Sequence, residues 1–160
     1  GCSKAYAMTG WRLGYAVGPK EIIQAMVKYQ SQSTSCVAAF VQKAAVEALR
    51  NGASAIPAMV QAFDQRRKAV LGIVRTWPGT KVAEPKGAYY LFPDLSTFLQ
   101  SGKIRDDLAL SEFLLNESRI AVVPGTPFGA PGHLRLSTAA AQDVLEKACR
   151  DIGQALKRLS

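Results

Sequence analysis

Apolar residues recur every three or four positions in three successive segments of the first half of the chain. They lie within 20–30, 37–49 and 54–77, and this spacing predicts three amphipathic helices. Pro57 falls in the first turn of the third helix, where a proline is tolerated because its missing N–H has no helical partner there. At about 22 residues, or roughly 33 Å at the standard helical rise, the third helix is long enough to join two domains.

The second half of the chain has a different pattern, in which short extended runs alternate with helices. The runs at 88–92, 119–123 and 133–137 predict strands. The segments 108–118 and 142–159 have apolar residues at helical spacing and predict helices. This arrangement is typical of a small α+β domain.

One more strand is predicted near the N-terminus, at 12–17, where a Gly-Pro pair ends it. A single strand cannot form a sheet by itself. We therefore expect residues 1–55 to be the tail of a larger unit. Residues 54–77 are expected to form a bridging helix, and residues 78–160 a separate small domain.

Composition indicates a folded chain with reduced thiols. Of the 160 residues, 48% are hydrophobic and 20% are charged, which argues against disorder. The sequence has no long apolar run, so we expect no membrane span. The three cysteines lack metal-ligand spacing and there is a single histidine. We therefore expect no metal site and a cytoplasmic protein.

The net charge of +8 lies almost wholly in the first half of the chain. Residues 1–80 carry ten Lys and Arg against three acids, and residues 81–160 carry ten against nine. Such an excess fits a nucleic acid, an anionic ligand or a missing acidic segment of protein. No basic run is longer than the three residues 66–68, and aromatic residues are not interleaved with it. We therefore expect no nucleic-acid partner.

The opening segment SKAYAMTGWRLGY combines the groups that a phosphate-bearing aldehyde needs. Lys4 is followed by apolar residues, which would shield it from water and favour a neutral, nucleophilic amine. Arg12 presents a planar fork of donors that matches a phosphate, and Gly10 and Gly14 allow backbone to approach closely. Ser3 is a candidate for a further phosphate donor. These residue types point to pyridoxal phosphate, and ordinary surface residues are the alternative interpretation.

The extended segment SKAYAMTGWRLGYAVGP resembles the active-site segment of class I aminotransferases, in the fold-type I family of pyridoxal-phosphate enzymes that includes aspartate aminotransferases. The resemblance continues through QKAAVEAL, PKGAYYLFPDL, VVPGTPFG and HLRLS. It implies an α/β fold. The chain would supply the end of the large cofactor-binding domain, with a mostly parallel sheet that is incomplete here, and then a smaller α+β domain.

The resemblance also implies roles for individual residues. Lys4 would be the Schiff-base lysine and would move a proton at the substrate Cα, and Arg12 would hold the cofactor phosphate. Arg135, in HLRLS, would bind the substrate α-carboxylate as a bidentate pair. Phe128 would line the substrate pocket, with ordinary core packing as the alternative. Ser3 is a weaker match, because related enzymes often place the phosphate-binding serine further upstream.

By this resemblance the full-length protein would be an aminotransferase. It would move an amino group between an amino acid, aspartate-like or of broad range, and a 2-oxo acid, and it would be a homodimer. Decarboxylase, lyase or cyclase chemistry on the same fold, and a non-catalytic binding domain, are the alternatives. The resemblance covers the family from its lysine onward. The partner of the pyridine nitrogen would then lie in a missing N-terminal part, and residues 1–160 alone would be inactive.

Overall fold

The structure, a computed structural model, describes residues 1–159 and divides them into two units. The first unit is Gly1–Val60 and the second begins at Gln61. The helices of the first unit are α1 Cys2–Ala5, α2 Lys20–Ser33 and α3 Ala39–Asn51, with 3-10 turns at Thr9–Trp11 and Gly52–Ala55. The next helix, α4, is Ile56–Val74, and the unit boundary falls within it.

The first unit has a small core. Cys2, Met8 and Ala45 form its buried cluster. Helix α2 contains no buried residue, and Ile22 and Met26 of its apolar stripe are exposed. The helix predicted at 20–30 is therefore confirmed, but its apolar face is not covered by the residues that the structure describes.

The strand predicted at 12–17 is wrong for this chain. All six residues are described, and none of them pairs in a ladder. A strand needs a neighbour to satisfy its backbone N–H and C=O groups. The unit Gly1–Val60, described throughout, contains no other strand that could pair with it.

The long third helix is confirmed with shorter bounds than its apolar spacing predicts. A 3-10 turn precedes α4, which ends at Val74 rather than at Trp77. The N–H of Trp77 bonds to the carbonyl of Val74 at 3.1 Å in the turn that follows. Pro78 comes next, and the residue before a proline is disfavoured in the helical region.

The second unit contains the helices and strands of the second half of the chain. They are β1 Tyr90–Leu91, α5 Ser96–Leu99, α6 Asp107–Ser118, β2 Val123–Pro124, β3 Leu134–Ser137 and α7 Gln142–Lys157. A 3-10 turn at Thr126–Phe128 lies between β2 and β3. The helices predicted at 108–118 and 142–159 and the strand predicted at 133–137 are confirmed, whereas α5 was not predicted.

Two of the predicted strands are shorter than expected. The run at 88–92 pairs only over β1, and the run at 119–123 contributes only Val123 to β2. Arg119 is in the left-handed region, with φ 58°, because it caps the C-terminus of α6. This turn out of the helix occupies residues that an extended pattern assigns to the strand.

The three strands form an antiparallel sheet in the order β1-β3-β2. Leu91 faces Leu136 across the first pair, and Val123 faces Arg135 across the second. Side chains alternate between the two faces of a strand, so Leu134 and Leu136 are buried while Arg135 is only half-buried. Arg135 therefore lies on the face of the sheet that does not meet the core.

The core of the second unit lies between this sheet and helices α4, α6 and α7. Leu91, Leu114, Leu134 and Leu156 are fully buried in it. Apolar residues whose spacing predicts these helices are thus among the residues that the helices bury.

Trp77 and Gly153 show how tightly α7 packs in this core. The indole Nε1 of Trp77 donates to the carbonyl of Cys149 at 3.1 Å. A Cβ added at Gly153 would lie only 2.8 Å from the same nitrogen. Glycine at this position allows the ring to lie directly against the helix backbone.

Candidate active site

Lys4 lies in the short helix α1 of the first unit. Cys2 and Met8 are buried, Ser3 is half-buried, and Lys4 is exposed. The expectation that apolar neighbours shield Lys4 from water is therefore wrong. In this segment the buried side chains are two residues before Lys4 and four after it, and Ala5 and Ala7 between them are themselves exposed.

Arg12 lies at the end of the 3-10 turn that follows α1. Its backbone is left-handed, with φ 51° and ψ 46°. Its guanidinium is exposed and donates from one terminal nitrogen to the carbonyl of Thr9 at 3.1 Å. A guanidinium has five N–H donors, so this bond leaves donors that can bind an anion.

The opening segment folds back on itself between Lys4 and Arg12. Ala7 and Arg12 both have positive φ, and two left-handed residues reverse the direction of the chain. As a result a Cβ on Gly1 would lie 3.9 Å from the Cα of Gly14. Ser3, Lys4 and Arg12 thus belong to one compact loop.

The glycines of this loop border open space. A Cβ added at Gly10 or at Gly14 would meet no atom within 4 Å in the described chain. An amine, a guanidinium and the Ser3 hydroxyl together supply a nucleophile for an aldehyde and donors for a phosphate. The loop therefore fits the chemistry of pyridoxal phosphate.

Arg135 lies on β3 of the second unit, between aromatic side chains. Its Cζ is 4.6 Å from the centre of the Tyr90 ring and 4.7 Å from the centre of the Phe128 ring. Contacts of this kind orient a guanidinium while leaving its N–H donors for a carboxylate. Phe128 is 51% exposed, so it does not pack as an ordinary core residue in the described chain.

The loop that carries Phe128 has a tightly constrained start. A Cβ on Gly125 would lie 2.2 Å from the carbonyl oxygen of Ala130. The N–H of Phe128 bonds to the carbonyl of Gly125 at 2.8 Å. Gly129 has φ 72° and ends the turn in the left-handed region, which glycine adopts without strain.

The five predicted residues thus fall into two groups. Ser3, Lys4 and Arg12 lie in one segment of the first unit, and Phe128 and Arg135 are in contact in the second. The first group supplies a hydroxyl, an amine and a guanidinium, and the second supplies a guanidinium beside an aromatic ring.

Sequence reasoning did not identify Tyr90, which contacts Arg135, or the buried carboxylate of Asp107. Tyr90 has a signal in the sequence, because alternation places Tyr90 and Phe92 on the sheet face that carries Arg135. Asp107 has none: it is one of two adjacent acids at the start of a helix. Its carboxylate is buried against Thr126, 19 residues away.

Among residues 1–159, no group of three His, Cys, Asp or Glu side chains is arranged to hold a metal ion. No helix in that part of the chain is long and apolar enough to cross a membrane.

The chain is similar to aminotransferases over almost its entire length. A family model described as "Aminotransferase class I and II" matches residues 1–152. A probable aspartate/prephenate aminotransferase of Aquifex aeolicus is 43% identical over 98% of this chain and 40% of its own length. An aspartate aminotransferase of Pinus pinaster is 42% identical over 98% of this chain and 33% of its own length.

The fold of this chain is also similar to solved structures of aminotransferases. An aromatic aminotransferase from Pyrococcus horikoshii has a TM-score of 0.90 and 38% identity, covering 100% of this chain and 43% of its own. An aspartate aminotransferase from Rhizobium meliloti has a TM-score of 0.90 and 36% identity, covering 100% and 41%. The fold is therefore that of part of a fold-type I aminotransferase. The chain spans about 40% of the length of the first of these curated relatives.

Proposed function

The chain belongs to the class I and II aminotransferase family, and on this premise we propose that it forms part of an enzyme that moves an amino group between an amino acid and a 2-oxo acid. The observation that carries the proposal is the compact loop of the first unit, where an exposed lysine and an exposed arginine lie in one segment beside open glycines. Pyridoxal phosphate is the cofactor that this pair of groups suits.

Lys4 supplies the reacting amine of the protein. Pyridoxal phosphate, when bound, contributes an aldehyde that bonds to an amine and a ring that withdraws electrons from the substrate Cα. Lys4 Nζ would hold the cofactor, and the same amine would move the proton at the substrate Cα.

Arg12 and Ser3 hold the phosphate end of the cofactor. The free N–H donors of Arg12 suit a phosphate dianion, and the half-buried Ser3 hydroxyl adds a donor from α1. Because both residues are within nine positions of Lys4, the same loop fixes the two ends of the cofactor.

Arg135 binds the α-carboxylate of the substrate. Its half-buried guanidinium and aromatic neighbours keep water from surrounding it fully, which strengthens a pair with a carboxylate. Phe128 lines this position. Every amino acid and every 2-oxo acid carries the carboxylate, so Arg135 serves both halves of the exchange.

Aspartate is the amino donor that we propose first. Relatives at 42–43% identity are named aspartate/prephenate or aspartate aminotransferases. Aromatic amino acids are the second candidate class, because the similar structure from Pyrococcus horikoshii is an aromatic aminotransferase. A panel of amino donors tested on the full-length protein distinguishes the two.

The decisive experiment replaces Lys4 in the full-length protein. We expect Lys4→Ala to lower kcat by about a thousandfold or more, because the general base and the covalent anchor are lost together. Borohydride added with pyridoxal phosphate should fix the cofactor to the peptide that contains Lys4 in the wild type and to no peptide in the variant.

Lys20→Ala is the matched control, since Lys20 is also exposed and begins α2 in the same unit. It should keep wild-type turnover and the wild-type borohydride product. Full turnover by Lys4→Ala, or fixation of the cofactor to a different lysine, would contradict the proposal.

We propose in addition that the full-length protein is a cytoplasmic homodimer. The free cysteines Cys2, Cys36 and Cys149 suit a reducing compartment. Sedimentation of the full-length protein tests the dimer, and cell fractionation tests the compartment. A fully active monomer would rule out the dimer.

A further inference from the structure

Asp107 is a buried carboxylate that accepts two hydrogen bonds from Thr126, besides bonds from backbone N–H groups that include that of Gly132. It begins α6, is 2% exposed, and accepts from the N–H of Thr126 at 2.7 Å and from the Thr126 hydroxyl at 2.6 Å. Burial of a charge is costly unless it is paired or hydrogen-bonded. Thr126, 19 positions along the chain, thus supplies two of the donors that this carboxylate needs.

The position of Asp107 is not explained by helix capping. Asp106 is the N-cap of α6, and its Oδ1 accepts from the N–H of Ala109 at 2.8 Å. A helix needs one such cap. The Asp107 side chain is instead directed at the loop that follows β2.

The charge state of Asp107 suits this contact. Burial raises the pKa of the carboxyl, but hydrogen bonds from Thr126 and from the N–H groups of Asp107 and Gly132 outweigh it. The pKa therefore lies below its ordinary value of 3.8. The group is a carboxylate at neutral pH, and hydrogen bonds to a charged acceptor are the stronger kind.

Thr126 is the first residue of the turn that carries Phe128. The turn is closed by the bond from the Phe128 N–H to Gly125, at 2.8 Å. The Phe128 ring is half exposed, yet its centre lies 4.7 Å from the Arg135 Cζ and 6.2 Å from the Phe92 ring. Besides these two contacts, the backbone of the turn sets where the ring lies.

We propose that Asp107 is a positioning residue for the carboxylate-binding arginine: it anchors Thr126 and so holds the Phe128 ring against Arg135. This inference rests on the proposed function, because it takes Arg135 as the residue that binds the substrate carboxylate. The ring restricts the orientations of the guanidinium before substrate arrives. Ordering a flexible side chain in advance raises affinity, since binding then loses less conformational entropy.

Two variants of the full-length protein test the anchor in different ways. Asp107→Asn keeps the size of the side chain but replaces one accepting oxygen with an NH₂ group. Thr126→Val keeps the backbone N–H and removes the hydroxyl donor. If one variant fails to fold, the other still tests the same link.

The first readout does not need the cofactor. In protein labelled with ¹⁵N-arginine, the Nε–H signal of Arg135 reports the ring currents of Tyr90 and Phe128, and Arg135→Lys identifies it. We expect both anchor variants to shift this signal at temperatures where the protein remains folded.

The second readout is steady-state kinetics with the amino donor. We expect KM to rise about fivefold while kcat stays within about twofold, because a misplaced guanidinium weakens binding in the ground and transition states alike. A loss of stability alone moves neither the Arg135 signal nor KM below the melting temperature.

Two controls separate the anchor from a general effect of substitution. Asp106→Asn removes a charge from the adjacent residue, and asparagine is itself a good N-cap, so the signal and KM should stay at wild-type values. Thr126→Ser keeps both donors and should also retain them.

The outcomes are distinct. An unmoved Arg135 signal in Asp107→Asn and Thr126→Val overturns the inference, whatever happens to stability. A moved signal with unchanged KM also overturns it if Arg135→Gln raises KM. If Arg135→Gln leaves KM unchanged, the proposed function of Arg135 fails instead, and only the effect of Asp107 on the Phe128 ring is supported.

Discussion

Burial sets the chemistry of the Cys149 thiol. The residue lies in α7 and is 4% exposed. Burial raises its pKa to about 11, against a smaller opposite effect of the Arg150 charge. Since the thiolate is the reactive form, Cys149 should be inert in the folded chain.

We expect iodoacetamide at pH 8 to alkylate Cys149 about 100-fold more slowly in the folded chain than in urea, because the thiolate fraction falls by about that factor. Peptide mass spectrometry over a time course measures both rates. Cys36 is exposed and is the internal control, with little change between the two conditions. Equal rates for the two cysteines in the folded chain would contradict the burial of Cys149.

At this scale the sequence identifies candidates that lie within one motif. Lys4 and Arg12 are eight positions apart, and Phe128 and Arg135 are seven apart. The exposure of Lys4 was not predictable, because the polarity of sequence neighbours does not determine the direction of a side chain. Asp107 was not predictable either, since its importance comes from a partner that is distant in the chain.

Helix α7 provides the clearest test at the scale of single elements. Gly153 faces Trp77 in the core, whereas Gly72 lies on the exposed side of α4, where a Cβ would meet no atom within 4 Å. Replacement by alanine should therefore change the free energy of unfolding in opposite directions at the two glycines.

We expect Gly153→Ala to lower the free energy of unfolding by about 1–3 kcal/mol, because the new methyl group overlaps the indole ring. Gly72→Ala should raise it by up to about 1 kcal/mol, since alanine is favoured over glycine in an open helical position. Urea titration followed by tryptophan fluorescence measures both. Destabilisation of similar size at both positions would argue against the packing of Trp77 on α7.

The helices were more predictable than the strands for a physical reason. The bonds of a helix are local, so the apolar spacing within 56–74, 107–118 and 142–157 is enough to indicate α4, α6 and α7. The bonds of a strand depend on a partner. The extended run at 12–17 has none in its unit, and the run at 119–123 begins with the left-handed cap of α6.

The two units differ greatly in the amount of core that they bury. Seventeen of the described residues form the buried cluster that extends from α4 to α7, whereas three form the cluster of the first unit. Since burial of apolar area is the main source of stability, most of the stability of this 160-residue chain resides in the second unit.

Hydrogen exchange followed by mass spectrometry should show this difference in the 160-residue chain. We expect the amides of α2, a helix without a buried residue, to exchange at least about 100-fold faster than those of α7, since local opening costs little where few apolar contacts are lost. In the full-length protein α2 should become protected. Equal protection of α2 and α7 in the 160-residue chain would contradict the assignment of stability to the second unit.

Gly125 also limits how this protein can vary over generations. Any side chain at that position must displace the Ala130 carbonyl, which belongs to the backbone and has no alternative rotamer. Gly129 has open space around it, and its left-handed φ is one that asparagine also adopts. A saturation library selected for folding would thus retain a single amino acid at position 125 and at least two at position 129. An invariant glycine in such a library would report steric conflict within the loop, without any ligand having selected it.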